Sequence, residues 1–442
     1  MERTVMSALV AWKGAPRRKP LVMFGARQVG KTWLLRELGR HHYDRTVYVS
    51  LDQSATARGV FDADLDIGRI VADLAVVVGG GPIDPSSTLI VLDEVQEAPR
   101  ALTALKYFAE TAPQYHVACA GSLLGVAAHP GTSFPVGKVD MVDVRPMTFD
   151  EFLRALGETA LADLIGADEP DRLGTFHEKL VSLLRWYLYV GGMPEAVAQF
   201  VPDRVPDGAR QVQLEILTAY DRDFSKHAPL NEVPRLRALF ASVPAQLARE
   251  NRRFVYGHAR PGARAKTMEL ALQWLVDAGL VHRVPRVSAA RLPLAAYADD
   301  KAFKLYLMDT GLVGAMAGLD ARTLVTGHAL FTELKGSITE QYALQEIIAA
   351  GLAPSYWVSR TGGAEVDLVV QHAGTVVPVE VKAEVSLQAK SLRVFRDTYT
   401  PEVSVRTSLR PWRDEGWLVN LPLYALSVLP RLIAERDASS TA

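Results

Sequence analysis

Eight consecutive residues, Gly25-Ala26-Arg27-Gln28-Val29-Gly30-Lys31-Thr32, have the composition and spacing of a loop built to hold a chain of phosphates. The glycines let the backbone turn so that successive N–H groups point inward at phosphate oxygens. A helix beginning near Lys31 adds the positive end of its dipole to the same place. Lys31 would then bridge the β- and γ-phosphates, and the Thr32 hydroxyl would complete a Mg²⁺ ligand set. ATP with Mg²⁺ is the ligand pair this chemistry calls for.

The second half of such a site is Leu89-Ile-Val-Leu-Asp93-Glu94, an apolar strand ending in two acids. The strand places Asp93 near the metal and Glu94 near the attacking water, and most of phosphoryl-transfer catalysis consists of such positioning. Ser122, after the apolar run His116–Ala120, is a candidate γ-phosphate contact. Lys138 is a candidate cation near the phosphates, and Arg222 a weaker one.

A separate acidic constellation lies near the C-terminus. Ala364-Glu-Val-Asp367-Leu-Val-Val and Thr375-Val-Val-Pro-Val-Glu380-Val-Lys382 read as two strands around a turn at His372-Ala-Gly374. A two-residue Ala373-Gly374 loop puts Asp367 directly opposite Glu380, whereas a three-residue loop shifts the pairing by one. Side chains alternate along a strand, so Glu380 and Lys382 share a face. Two carboxylates converging with a lysine suit a Mg²⁺-dependent phosphodiesterase, in which acids hold the metal and lysine orients water or stabilises charge. Glu333-Leu-Lys335 has the same E-x-K spacing without the strand context. Pro378 cannot donate a ladder hydrogen bond, which predicts that its strand is unpaired there or at an edge.

Between Arg249 and Arg291 nine basic residues (Arg249, Arg252, Arg253, Arg260, Arg264, Lys266, Arg283, Arg286, Arg291) face three acidic ones, Glu250, Glu269 and Asp277. That local excess stands out in a chain of 442 residues whose formal charge is −1. Phe254 and Tyr256 are interleaved. The amphipathic stretch Thr267–Ala278, followed by a short strand pair, resembles a winged-helix module whose helix can enter a major groove. Phosphate neutralisation would supply affinity for nucleic acid, most simply DNA, without sequence specificity. A solvated basic surface is the plain alternative. Trp274 and Leu270 read as core rather than base-stacking residues.

Positioning these groups requires several domains. The first ~150 residues alternate short apolar strands (21–24, 46–51, 88–92, 116–120, 139–144) with helical stretches, the pattern of a parallel sheet covered on both faces. A helical region runs from Asp150 to about Ala278, and strand signals return near 280–287, 304–307 and 356–381. Four segments follow: 1–150, 151–225, 226–300 and 301–442. Hydrophobic residues at 49% and charged residues at 22% are ordinary globular usage. A single cysteine, Cys119, excludes an internal disulfide, and no Cys/His spacing suits zinc. The apolar runs fall short of a membrane span and the N-terminus lacks a signal-peptide core, so a soluble cytoplasmic protein is expected.

Several further stretches carry a resemblance. Leu-Asp-Glu-Val-Gln96, Gly121-Ser122, Met147-Thr-Phe-Asp-Glu-Phe152, Gly-Gly-Met-Pro-Glu195, Lys304-Leu-Tyr-Leu-Met-Asp309-Thr-Gly-Leu312 and Glu365-Val-Asp367 with Glu380-Val-Lys382 stand in a familiar order. Taken together, over nearly the whole chain, they resemble the bacterial and archaeal AAA-type ATPases whose C-terminal half is a domain of unknown function, number 4143. The resemblance implies an α/β multidomain protein: a P-loop core, a helical lid over 151–225, a winged-helix-like segment and a restriction-endonuclease-like C-terminal domain. It also implies Glu340 as a third acid at the C-terminal metal. The chain departs from the family in having Gly137-Lys138 where Gly-Arg is expected before the fifth strand. The leading reading is an ATP-hydrolysing protein that acts on nucleic acid, its nuclease-like domain either cleaving or only binding. The other is a regulatory or signalling ATPase whose C-terminal domain binds DNA or a protein. Self-association is compatible with both. A small-substrate kinase is disfavoured, because Asp93-Glu94 suits water as the nucleophile.

Overall fold

The computed structural model describes residues 1–121, 135–167, 169–249, 253–321, 332–383 and 389–440. They form two compact units, one of Glu2–Arg145 with Asp277–Leu280, the other of Pro146–Val276 with Val281 onward.

The first unit is a five-stranded parallel sheet made of β1 (Leu21–Phe24), β2 (Arg45–Ser50), β3 (Thr88–Asp93), β4 (His116–Ala120) and β5 (Asp140–Asp143), in the order β2-β3-β4-β1-β5. Every residue of β3 and β4 is buried. One set of alternating residues, Val47, Val49, Ile90, Leu92, Val117 and Cys119, packs with Ile70, Leu74, Leu102 and Leu105 of the helices Ile67–Val78 and Pro99–Thr111. The five strands lie within one residue of the stretches expected for them. Near-continuous apolar runs are what strands buried on both faces of a parallel sheet require.

The second unit begins with helices, from Phe149–Ala155 through Ala265–Asp277, and ends in a mixed sheet. The strands β6 (Val281–Val287), β7 (Ala298–Leu307), β8 (Ser355–Val358), β9 (Glu365–His372), β10 (Thr375–Val381), β11 (Ser404–Ser408), β12 (Arg413–Asp414) and β13 (Leu418–Pro422) follow the order β12-β13-β11-β10-β9-β8-β6-β7. The strand pair expected at the end of a separate basic segment is thus part of this sheet. It joins through Arg286 and Val287 of β6, which pair with Tyr356 and Trp357 of β8. Residue 300 falls inside β7.

The hairpin of β9 and β10 has the two-residue turn, with Ala373 at φ 47° and Gly374 at φ 79°. Thr375 pairs with His372 and the ladder runs to Val379 opposite Leu368, so continuing it sets Glu380 opposite Asp367. Pro378 requires a correction: β10 is an internal strand between β9 and β11. Hydrogen-bonded pairs alternate from the turn, which leaves Pro378 and Val369 a non-hydrogen-bonded pair. On the other side the β11 ladder starts at Val379. The missing N–H therefore falls where no ladder bond is made.

Candidate nucleotide site and C-terminal carboxylates

The loop after β1 follows the path its glycines require. Gly25 takes φ 130°, and a Cβ there would run into the carbonyl oxygen of Val144. Gln28 at φ 65° and Gly30 at φ 96° complete the left-handed turns before the helix Lys31–His42. Lys31 is 7% exposed, and its Nζ donates to the carbonyls of Gly25 (2.8 Å) and Ala26 (2.6 Å). Burial brings its ammonium down to about 8, against the pull of Glu94 and Asp93, with Arg27 adding to the fall.

Asp93, at the carboxyl end of β3, accepts from the Thr32 hydroxyl at 2.8 Å and from the Tyr48 hydroxyl at 2.6 Å, both on Oδ2. A hydroxyl and a carboxylate already in contact suit a Mg²⁺ ion between them and the phosphates. Burial and the bond to Asp93 push Tyr48 up to about 12, so it stays a donor. Glu94 has left-handed backbone, φ 51°, and leads into the turn Val95–Glu97, from which Gln96 Nε2 donates to Glu94 Oε2 at 2.6 Å. Lys31, Thr32, Asp93 and Glu94 therefore meet at the carboxyl ends of parallel strands, where ligands of such sheets bind.

Other expected contacts fall differently. Ser122 lies outside the described residues. Lys138 pairs with Glu110 at 2.8 Å, which accounts for its charge without a phosphate. Arg222 is exposed on the helix Pro206–His227 of the other unit. Three contributors have no role in the reading above: Tyr48, Gln96, and Arg3, which donates to the carbonyls of Val29 (3.0 Å) and Arg145 (2.6 Å). Gln96 had a signal in its spacing to Glu94, and Tyr48 in the polar face of β2. Arg3 had none, because its partners are remote in sequence.

In the second unit, Asp367, Glu380 and Lys382 come together. Lys382 Nζ is 2.6 Å from Glu380 Oε1, and Asp367 Oδ2 accepts from the Val381 N–H at 2.8 Å. Burial raises the Glu380 carboxyl, Lys382 pulls it back, and the charge on Asp367 raises it further. Glu380 Oε2 is buried with no donor among the described residues, an orphaned oxygen that suits a cation shared with Asp367. Glu340 is not part of this group. Its Oε1 is 3.1 Å from Lys304 Nζ and accepts from the Tyr306 hydroxyl, while Lys304 also reaches Glu365 at 2.7 Å. The lysine is fully buried and neutralises the acid that would have joined the metal. Among the described residues no three His, Cys, Asp or Glu side chains gather as a metal site.

The basic segment is partly spent on its own fold. Arg283 pairs with Glu269 at 2.7 Å and Arg286 with Asp299 at 2.6 Å. Arg253, Arg260, Arg264, Lys266 and Arg291 are exposed, and Arg252 lies outside the described residues. Trp274 is core, but Leu270 is 76% exposed, a second correction. The buried face of Ala265–Asp277 centres on Met268, Ala271, Leu272 and Leu275, and Leu270 points away from it. The indole of Trp274 is large enough to reach round to Phe224, their ring centroids 5.5 Å apart.

The fold and the loop define a P-loop nucleotide-binding domain. Residues 17–153 match the family model described as an AAA domain, and residues 335–424 match the domain of unknown function DUF4143. The chain thus joins an AAA domain to a C-terminal DUF4143 domain, the combination its motifs resemble. Residues 181–323 match a further domain of unknown function, DUF8612. No curated protein matches the sequence. Among solved structures, the Walker-type ATPase PABY2304 of Pyrococcus abyssi is 13% identical with a TM-score of 0.44, covering 72% of this chain and 95% of its own. The Aeropyrum pernix ORC1 protein in complex with DNA is 14% identical (TM-score 0.25; 71% and 90% covered). Cdc6p of Pyrobaculum aerophilum is 16% identical (TM-score 0.26; 73% and 93% covered). Likenesses this low carry no inference about function.

Proposed function

We propose that the chain binds and hydrolyses ATP with Mg²⁺ and acts on nucleic acid, with a nuclease-like C-terminal domain. The observation that carries the first part is the meeting of Lys31, Thr32, Asp93 and Glu94 at one end of the parallel sheet. Residues 25–32 cradle the phosphates, Thr32 and Asp93 hold Mg²⁺, and Glu94 orients the attacking water. Exposed Arg260, Arg264 and Lys266 support contact with a phosphate backbone. The domains behind this reading are the P-loop core over 1–150, a helical lid over 151–225, and beyond them a winged-helix-like segment and a nuclease-like domain, the boundary expected between them at residue 300 falling inside β7 of one sheet. Asp367, Glu380 and Lys382 support one divalent ion and a lysine beside it, whereas Glu340 answers to Lys304. A cytoplasmic setting goes with this reading.

ATP turnover with single-stranded, double-stranded and branched DNA tests the proposal. Lys31→Ala should lose hydrolysis and bind nucleotide weakly. Glu94→Gln should bind but turn over slowly, since the phosphate charge is still met. DNA-stimulated turnover supports action on nucleic acid. Turnover indifferent to every DNA favours the regulatory alternative, and Mg²⁺- or Mn²⁺-dependent cleavage abolished by Asp367→Ala would make the C-terminal domain an enzyme.

A further inference from the structure

Gln96 has two polar atoms, and among the described residues one of them has a partner. Its Nε2 donates to Glu94 Oε2 at 2.6 Å, while its Oε1 is buried and accepts from no protein donor among the described residues. The orientation of the amide is forced, because turning it over would set two acceptor oxygens against each other. The backbone arranges this contact at a cost. Glu94 is held in left-handed conformation, φ 51° and ψ 49°, which a side chain bearing a Cβ adopts only when its surroundings impose it. The turn that follows is closed by Glu97 N–H to Glu94 carbonyl (3.0 Å) and Ala98 N–H to Val95 carbonyl (3.1 Å), and is pinned by fully buried Val95. Strained backbone and a rigid turn bring the amide back over the carboxylate two residues earlier.

We infer that Gln96 is a positioning residue for ATP hydrolysis, its Nε2 fixing the Glu94 carboxylate and its Oε1 accepting a hydrogen bond from the attacking water. This rests on the hydrolytic reading of the P-loop site. A water molecule has two O–H groups, and Glu94 and Gln96 supply an acceptor for each, leaving an oxygen lone pair for the γ-phosphorus. The water oxygen forms the new P–O bond as the bond between the γ-phosphorus and the bridging oxygen breaks. ADP leaves with that electron pair, and the proton of the water passes to the Glu94 carboxylate. Gln96 exchanges no proton. It fixes the carboxylate rotamer and the direction from which water approaches, the geometric part of catalysis.

The test separates turnover from binding. Gln96→Met keeps the length and volume of the side chain but has neither donor nor acceptor, and Gln96→Glu keeps an acceptor but repels Glu94. In full-length protein both should lower kcat at least tenfold, with the equilibrium affinity for Mg²⁺–ATP changed less than about threefold. A merely structural role for the turn would move affinity and kcat together, or the unfolding midpoint. Wild-type kcat in Gln96→Met alongside a dead Glu94→Gln would overturn the role of Gln96 and leave the hydrolytic site intact. Wild-type kcat in Glu94→Gln would overturn the hydrolytic assignment of Glu94, and the inference with it. If Gln96→Met fails to fold, Gln96→Glu alone decides by the same criterion, and should it misfold too, Gln96 is structural and the inference is overturned.

Discussion

Lys31 carries the most specific consequence at the scale of a residue. Its ammonium is buried against the Gly25 and Ala26 carbonyls, and burial lowers it to about 8. A triphosphate beside it favours the charged form and must raise it. At pH 8 roughly half of the unliganded lysines are neutral, so nucleotide binding should take up roughly half a proton. Above pH 8 affinity should fall with rising pH, by up to about tenfold per unit, because a lysine must first be charged before it can pair. Calorimetric titration in two buffers of different ionisation heat measures the uptake directly. Lys31→Arg, always charged, should bind without uptake in this window, and zero uptake by the wild-type protein would refute the picture. The lysine was legible because its loop is an eight-residue local pattern. Tyr48 showed only its place on the polar face of β2 and not its partner on β3, and Arg3 showed nothing, since it reaches Val29 and Arg145 through the folded chain.

At the scale of an element, the β9–β10 hairpin decides whether the acids can meet. Its turn sets both central residues at positive φ, 47° at Ala373 and 79° at Gly374. Such a turn favours Asn-Gly, and alanine in the left-handed region carries a penalty of about 1 kcal/mol. Ala373→Asn should therefore stabilise the protein by about 0.5–1 kcal/mol, and Gly374→Ala should destabilise it by about as much. Equilibrium denaturation with an unchanged m-value measures both. Equal stability in all three proteins would mean that another turn is populated, and with it another register. Local signals narrowed the register to two loop lengths, and the two-residue turn decides between them, its ladder continued past Val379 and Leu368 setting Asp367 opposite Glu380. The position of Pro378 was not legible, because its second neighbour, β11, comes from 404–408 and nothing near residue 378 announces it. For the same reason Lys304, the buried partner of Glu340, was invisible beside the E-x-K spacing.

At the scale of the whole molecule, the motifs that carried the resemblance but no chemistry acquire a physical account within the second unit. Phe149 N–H donates to Glu346 Oε1 at 2.9 Å, Gly192 N–H to Asp309 Oδ2 at 2.6 Å, and Leu312 N–H to Asp309 Oδ1 at 3.0 Å. Tyr187 donates to the Met147 carbonyl and receives Gln345 Nε2 at 2.9 Å. Segments around 147–151, 187–192, 309–312 and 342–346 are thereby knitted into one buried polar network, a property of the fold that no window of sequence contains. The acids in it are desolvated. Burial lifts Asp150 and Asp309 each to about 6 and carries Glu346 well above the usual carboxylate range, with the charges on Asp150 and Glu151 adding to the last. Their unfolded values are ordinary, near 4. The folded state therefore binds more protons than the unfolded one as pH rises from about 4 through 6 and beyond. This contribution to stability is complete below pH 4 and is lost as pH climbs through the folded values. Glu346→Gln keeps an oxygen to accept from Phe149 and removes the charge. Its unfolding midpoint should match the wild-type protein near pH 5 and exceed it at pH 8, with a shallower decline between. Thermal unfolding followed from pH 5 to 9 reads both curves. Parallel curves would show that Glu346 holds no extra proton in the folded state, and the network would then owe its stability to its hydrogen bonds alone.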